Sequence, residues 1–257
     1  MKTVPNMIPA AEPAIRIRDL EFRYRGASSP ALRCSLRVER GELYGLLGPN
    51  GAGKSSLLAL LCGRLVPGSG EIRIFGKDPV RDRKEVRQRI GLVPQNIALY
   101  MRLTAVENLA FFGRMHNMSG AEISTECARC LEIVGLEQYA NRRVETFSGG
   151  MQRRLNLAVG ILHSPDLLLL DEPTVGIDPQ SRELIHERLL LLNRKGVTIV
   201  YTTHYMEEVW KLCSRTGIID HGELLLEGET RDLPAGYGCT DLESLFLKLT
   251  GRKLRDT

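Results

Sequence analysis

No stretch of this 257-residue sequence approaches the roughly 20 consecutive apolar residues that cross a bilayer. A membrane span of its own is therefore not expected. Charge of one sign is also missing: 35 Lys and Arg stand against 31 Asp and Glu, a net charge of +4. So mild a surplus does not by itself argue for nucleic acid as a partner, and none is expected. Its densest basic run, Arg81, Arg83, Lys84, Arg87 and Arg89, is interleaved with Asp82 and Glu85 and reads as the wet face of a helix. The six cysteines are scattered, and only Cys127 and Cys130 lie close together. They share a helical face as small, partly buried side chains, since no further ligands or thioredoxin context accompany them. Free thiols suit a reducing compartment. The first 14 residues hold Pro5, Pro9 and Pro13 and no apolar centre, which excludes a secretory signal. Residues 1–13 are expected to be a flexible tail. With 43% hydrophobic and 26% charged residues, what remains is an ordinary globular chain, long enough for one large α/β domain or a core with a subdomain.

The most informative stretch is Gly48, Pro49, Asn50, Gly51, Ala52, Gly53, Lys54 and Ser55, followed by Ser56. It fits G-x-x-x-x-G-K-[ST] and lies between an apolar strand at 43–47 and the opening of a helix at 55–61. The glycines let successive N–H groups turn inward toward an anion, and the helix behind adds its own free N–H groups. Lys54 supplies a point charge for β- and γ-phosphates, and Ser55 a hydroxyl for Mg²⁺. The expected ligand is a nucleoside triphosphate.

Around this loop the chain alternates strands and helices. Residues 14–25 and 31–38 show strand alternation, with turn chemistry at 26–30, and 70–76 adds another strand. Together they form an antiparallel β section. Tyr24 closes its first strand, where its ring could stack on adenine or sit in the core. A short strand at 90–94 ends at Gln95. From about 96 to 141 no strand-like run appears, and capping boxes at Thr104 with Glu107 and Ser119 with Glu122 open helices. Strands at 167–171 and 197–201 follow, the second leading to Thr203 and His204, with helices at 151–162, 180–195 and 205–213. His221 and Gly222 turn a hairpin between 216–220 and 223–227. A last helix, capped by Thr240 with Glu243, runs to about 250. Strands alternating with helices imply a mainly parallel sheet, which binds ligands at the carboxyl ends of its strands.

At those ends stand the candidate site residues. Asp171 can hold Mg²⁺ directly or through water, and Glu172 can take a proton from an attacking water. The alternative for this pair is two acids at a helix start. Ser148, Gly149 and Gly150 before a helix form a second anion nest, or a plain N-cap.

The complete set resembles the nucleotide-binding subunit of an ABC transporter over residues 14–228. Gly48 to Ser55 matches Walker A, Gln95 the Q-loop, Phe147 to Met151 the signature, and Leu167 to Glu172 Walker B with its catalytic Glu. Val175 to Asp178 resembles the D-loop and His204 the switch histidine. Tyr24 falls where the family stacks an aromatic residue on adenine. The signature departs from its usual form at Phe147 and Met151, while Ser148, Gly149 and Gly150 are kept. Met151 followed by Gln152, Arg153 and Arg154, the stretch from Gly176 to Arg182 and the tail from Asp241 resemble ATPases of ABC-2 type exporters.

The resemblance implies an α/β P-loop NTPase core with a mainly parallel sheet, an N-terminal antiparallel β section and an inserted helical subdomain at about 96–160. The ATPase domain would span 14–230 and a C-terminal helical extension 231–257. It also implies ATP and Mg²⁺, the metal held by Ser55, Gln95 and Asp171. Hydrolysis would fall to Glu172, His204 and Gln95. Ser148, Gly149, Gly150 and Met151 would act in trans across a head-to-tail homodimer, with Asp178 at the dimer contact. An ABC-2 type permease would tie the chain to the cytoplasmic face of a membrane. The insert at 96–118 would receive a permease helix, with Leu99 and Tyr100 exposed. An importer subunit fits the same core motifs. A soluble ATPase acting on ribosomes or DNA would bring a second cassette or a long coiled-coil insert, and neither is in the sequence.

Overall fold

The computed structural model describes residues 12–251. Most of the expected tail and residues 252–257 of the extension lie outside them. Among the described residues nine strands form one sheet, in the order β4-β1-β2-β9-β8-β3-β7-β6-β5. The chain starts at its antiparallel end. β1 (Ile15–Phe22) pairs antiparallel with β2 (Leu32–Val38) on one side and with β4 (Ser69–Ile74) on the other. Ile15, Ile17, Leu20 and Phe22 of β1 are all buried, although their spacing is two, three, two. A register shift between Ile17 and Leu20 absorbs the odd residue and keeps all four on the core side.

β3 (Leu43–Leu47) is buried along its whole length and lies between parallel neighbours β7 (Thr198–Thr203) and β8 (Arg215–Asp220). β6 (Leu167–Asp171) and β5 (Ile90–Val93) continue the parallel part outward. Strands covered on both faces need continuous apolar runs, which is why Leu167 to Leu170 do not alternate. β9 (Glu223–Glu229) folds back antiparallel on β8 and touches β2, so the β8–β9 hairpin joins the two halves of the sheet. That insertion between strands distant in sequence is not visible in any local pattern.

The helices, in chain order, are α1 (Lys54–Leu61), α2 (Arg83–Arg89), α3 (Ala105–Met115), α4 (Gly120–Val134), α5 (Gly149–Ile161), α6 (Pro179–Arg194), α7 (Met206–Leu212), α8 (Leu233–Gly236) and α9 (Leu242–Thr250). α2 buries Val86 and leaves its basic residues outward or half-covered, as its wet-face pattern requires. Between β5 and β6 the elements are helical. Both expected capping boxes there are formed, Thr104 with Glu107 and Ser119 with Glu122. Cys127 and Cys130 share the buried face of α4 as free thiols.

The cap of the last helix and the exposure of the insert differ from the sequence reading. The cap of α9 is Asp241, whose carboxylate accepts from the Ser244 amide at 2.7 Å, not Thr240 with Glu243. Thr240 instead donates its hydroxyl to Asp241, whose charged carboxylate is the better acceptor for the amide. Leu99 packs partly buried against the core, and only Tyr100 is exposed, with its ring edge-on to Phe111.

Candidate nucleotide site

Strand register decides what meets at the edge of the sheet. Leu47 lies opposite Thr203, Asp171 opposite Thr202, and Val93 opposite Leu170. The residues that follow these strands, Gly48, Gln95, Glu172 and His204, therefore leave the sheet side by side.

The phosphate loop is shaped from behind. The Gly48 N–H donates to the Thr203 carbonyl at 3.2 Å. A Cβ on Gly48 would lie 2.2 Å from the Ile219 carbonyl oxygen, so no other residue fits against β8. Gly51 and Gly53 have φ of +81° and +108°, the left-handed region that only glycine enters at little cost. The hairpin turn between β8 and β9 backs the loop, with the Gly222 N–H donating to the Ala52 carbonyl at 2.9 Å. α1 starts at Lys54 with no side-chain cap, which leaves its first N–H groups directed at the cavity.

That cavity, of about 610 Å³, is lined by Tyr24, Pro49 through Ser56, Gln95, Glu172 and His221. Tyr24 is not a core residue. Its ring is 48% exposed, edge-on to Phe22, and its hydroxyl meets the Ser56 hydroxyl at 2.8 Å. Both β1 and the phosphate loop thus fix the ring at the cavity rim.

Lys54 and Glu172 are both buried, with Lys54 Nζ 2.9 Å from Glu172 Oε1. Lys54 Nζ also donates to the carbonyls of Gly48 at 2.7 Å and Pro49 at 3.1 Å. Glu172 holds a left-handed backbone, φ +45°, uncommon for a residue with a side chain. Its amide is shared between the Thr202 carbonyl at 3.1 Å and the Thr202 hydroxyl at 3.2 Å, which pins the conformation. The second carboxylate oxygen receives the Gln95 amide at 3.4 Å and lies 3.2 Å from His204 Nδ1. The imidazole contact is poorly aligned for a hydrogen bond, and the nitrogen finds no other protein partner. Asp171 accepts from the Thr202 hydroxyl at 2.9 Å through one oxygen. With Ser55 and Gln95 it offers oxygen donors of the kind Mg²⁺ prefers, and Mg²⁺ needs few protein ligands beside the substrate phosphates.

Ser148, Gly149, Gly150 and Met151 are not among the residues lining this cavity. Ser148 caps α5, its hydroxyl accepting from the Met151 amide at 3.2 Å. Gly149 and Gly150 stand within the first turn of α5, two residues earlier than the sequence places the helix start. Asp178 likewise caps α6, accepting from the Ser181 amide at 2.8 Å.

Sequence reasoning misses several supporting residues. Buried Glu208 on α7 accepts from Thr174 at 2.6 Å, Thr203 at 2.8 Å and Tyr201 at 3.0 Å. Burial pushes its carboxyl up, but His186 at 3.7 Å and the threonine hydroxyls outweigh it and hold it below the ordinary value. Asn156 and Arg153 on α5 grip the backbone around Gln95. No local spacing announces them, because their partners are backbone groups brought near by the fold.

A phosphate loop at the end of a central parallel strand, with an acid pair at the end of the next strand but one, defines a P-loop nucleoside triphosphatase. The family model described as ABC transporter matches residues 32–175. The linearmycin resistance ATP-binding protein LnrL of Bacillus subtilis (strain 168) is 48% identical over 79% of this chain and 66% of that protein. The Nod factor export ATP-binding protein I of Rhizobium meliloti (strain 1021) is 43% identical over 93% of this chain and 72% of its own length. Among solved structures, an ATP-binding subunit of an ABC transporter superposes with a TM-score of 0.83 at 28% identity, covering 92% of this chain and 99% of that one. A dimeric ATP-binding cassette in a post-hydrolysis state, bound to ADP and Pi, superposes with a TM-score of 0.75 at 29% identity, covering 84% and 98%. The chain belongs to the ABC transporter family, the class of ATP-hydrolysing cassettes that serve transporters. No helix among the described residues is long and apolar enough to cross a membrane.

Proposed function

We propose that this chain is the ATPase subunit of an exporter, working through a separate ABC-2 type permease on the cytoplasmic face of a membrane. The names of its relatives, one for Nod factor export and one for linearmycin resistance, support export over import. So does the signature with Met151 in place of the usual glutamine.

One observation carries the mechanism. Lys54, Gln95 and Glu172 converge on one cavity with His204 in contact with Glu172, while Ser148 to Met151 do not line it and Ser148 and Gly149 are exposed. One chain thus holds the nucleotide-facing half of a site, and a second copy, arranged head to tail, supplies the signature half. Tyr24 stacks on the adenine, and the backbone amides of Gly51, Gly53, Lys54, Ser55 and Ser56 hold the phosphates. Lys54 neutralises charge on the β- and γ-oxygens. Ser55, Gln95 and Asp171 would hold Mg²⁺, which offsets the charge that builds on the phosphoryl oxygens. Glu172 accepts a proton from water as its oxygen bonds to the γ-phosphorus and the β–γ bridging bond breaks. His204 contacts the γ-phosphate. Gln95 reports its presence to the helices that follow, where exposed Tyr100 is one contact for the permease, and Asp178 lies at the dimer contact.

The test is Glu172→Gln. It should bind ATP as the wild type does, lose roughly 10²–10⁴ in hydrolysis, the range for a missing general base, and run as an ATP-dependent dimer on size exclusion. A variant that hydrolyses normally and stays monomeric with ATP rejects both the base and the composite site. Co-purification of the wild type with its ABC-2 type permease tests the partner.

A further inference from the structure

α5 begins at the signature and carries two side chains that reach back to the backbone beside the nucleotide cavity. Arg153, one helical turn from Gly149, is only 9% exposed. Its guanidinium donates to the Gln95 carbonyl, and through Nη2 to the Val175 carbonyl at 3.3 Å. Asn156, on the same face, donates to the Pro94 carbonyl at 3.2 Å and accepts from the Ala98 amide at 3.3 Å. Residues 94–98 are thereby held at three points by the helix whose N-terminus is the signature, and the turn after Glu172 is held at a fourth. A buried guanidinium needs hydrogen-bond partners, and the planar fork places Nη1 on the Gln95 carbonyl and Nη2 on the Val175 carbonyl, bridging two separate loops. Burial pushes the Arg153 guanidinium down, and the nearby Glu172 charge opposes that.

We propose that Arg153 is a positioning residue for hydrolysis: it locks the signature helix, the Gln95 backbone and the 172–178 turn into one unit. Gln95 then presents its amide to Glu172 only while α5 is seated. Engagement of the signature on the partner's nucleotide is felt at the chain's own Glu172 through this tie. The proposal rests on the reading of Glu172 as the base.

The experiment compares Arg153→Gln, Arg153→Lys and wild type, with Glu172→Gln alongside. Arg153→Gln should keep its affinity for ATP within about threefold, because the phosphate loop is untouched, and lose at least tenfold in kcat. Its amides at 95–98 and 175–178 should exchange hydrogen faster than in wild type, while those of α1 do not change. Arg153→Lys keeps the charge and one carbonyl contact and should recover part of the kcat. If Arg153→Gln turns over within twofold of wild type, or both loops exchange at the wild-type rate, the tie is wrong. If kcat falls only in step with ATP affinity, or a folded Arg153→Lys is as slow as Arg153→Gln, the residue is structural and the proposal is likewise overturned. Should Glu172→Gln hydrolyse normally, the base assignment falls on its own, and the exchange data still decide whether Arg153 joins the two loops.

Discussion

The chain contains two glycine-rich helix starts, and they are built differently. At the phosphate loop, glycine supplies conformation: Gly51 and Gly53 sit at positive φ, and Gly48 presses on the backbone of β8. The α1 start has no side-chain cap, so its N–H groups remain available. At the signature neither Gly149 nor Gly150 has positive φ. Ser148 spends its hydroxyl on the Met151 amide, and the glycines keep side chains out of the way. A Cβ on Gly150 would lie 2.1 Å from the Ser181 hydroxyl and 2.7 Å from its Cβ, whereas one on Gly149 would meet nothing within 4 Å. Gly150 is thus fixed by packing onto α6, and Gly149 is left bare on an exposed turn. The first nest is complete within one chain. The second leaves Ser148 and Gly149 exposed outside the nucleotide cavity.

The contrast breaks first at Lys54. Lys54→Ala should weaken ATP binding by at least roughly 10²-fold, since two charge-assisted hydrogen bonds at about 1.5–3 kcal/mol each are lost. No change at the signature should weaken binding to an isolated chain to that degree. Fluorescent-nucleotide titration of folded protein checks it, and unchanged affinity would remove Lys54 from the phosphate site. Next comes Gly150→Ala, which should destabilise the fold by about 1–3 kcal/mol through overpacking against Ser181. Urea melts read this directly; a neutral result means that α5 and α6 slide apart easily. Smallest is Gly149→Ala. With helical geometry and open space, it should stabilise the apo-protein by about 0.4–1 kcal/mol. A loss of stability there would show that Gly149 needs a backbone that alanine cannot take.

Much of the site was legible because its chemistry depends on short local spacings. Phosphate binding demands glycines and a lysine at fixed offsets, and the strand ends at Gln95, Glu172 and His204 follow from apolar runs that stop. The capping boxes of α3 and α4 are readable for the same reason: a span of four residues suffices to define them. Other features needed the fold. The β8–β9 hairpin enters the sheet between β2 and β3, a choice made by long-range pairing. Leu99 reads as exposed by position, yet it meets core residues from other elements. Tyr24 carried two readings that only its exposure and its bond to Ser56 separate. Arg153 is visible in the sequence merely as one of two adjacent arginines, and its carbonyl partners have no side-chain signature.

The backing of the phosphate loop by the β8–β9 turn bears on how the protein is born. The loop emerges with α1, but Ile219 and Gly222, against which Gly48 and Ala52 rest, come only with β8 and the turn after it. Contacts of such sequence separation form late. A ribosome-bound chain halted before this hairpin should therefore carry the whole Walker A sequence and still grip nucleotide poorly, so that ATP capture is deferred until β8 and β9 are made.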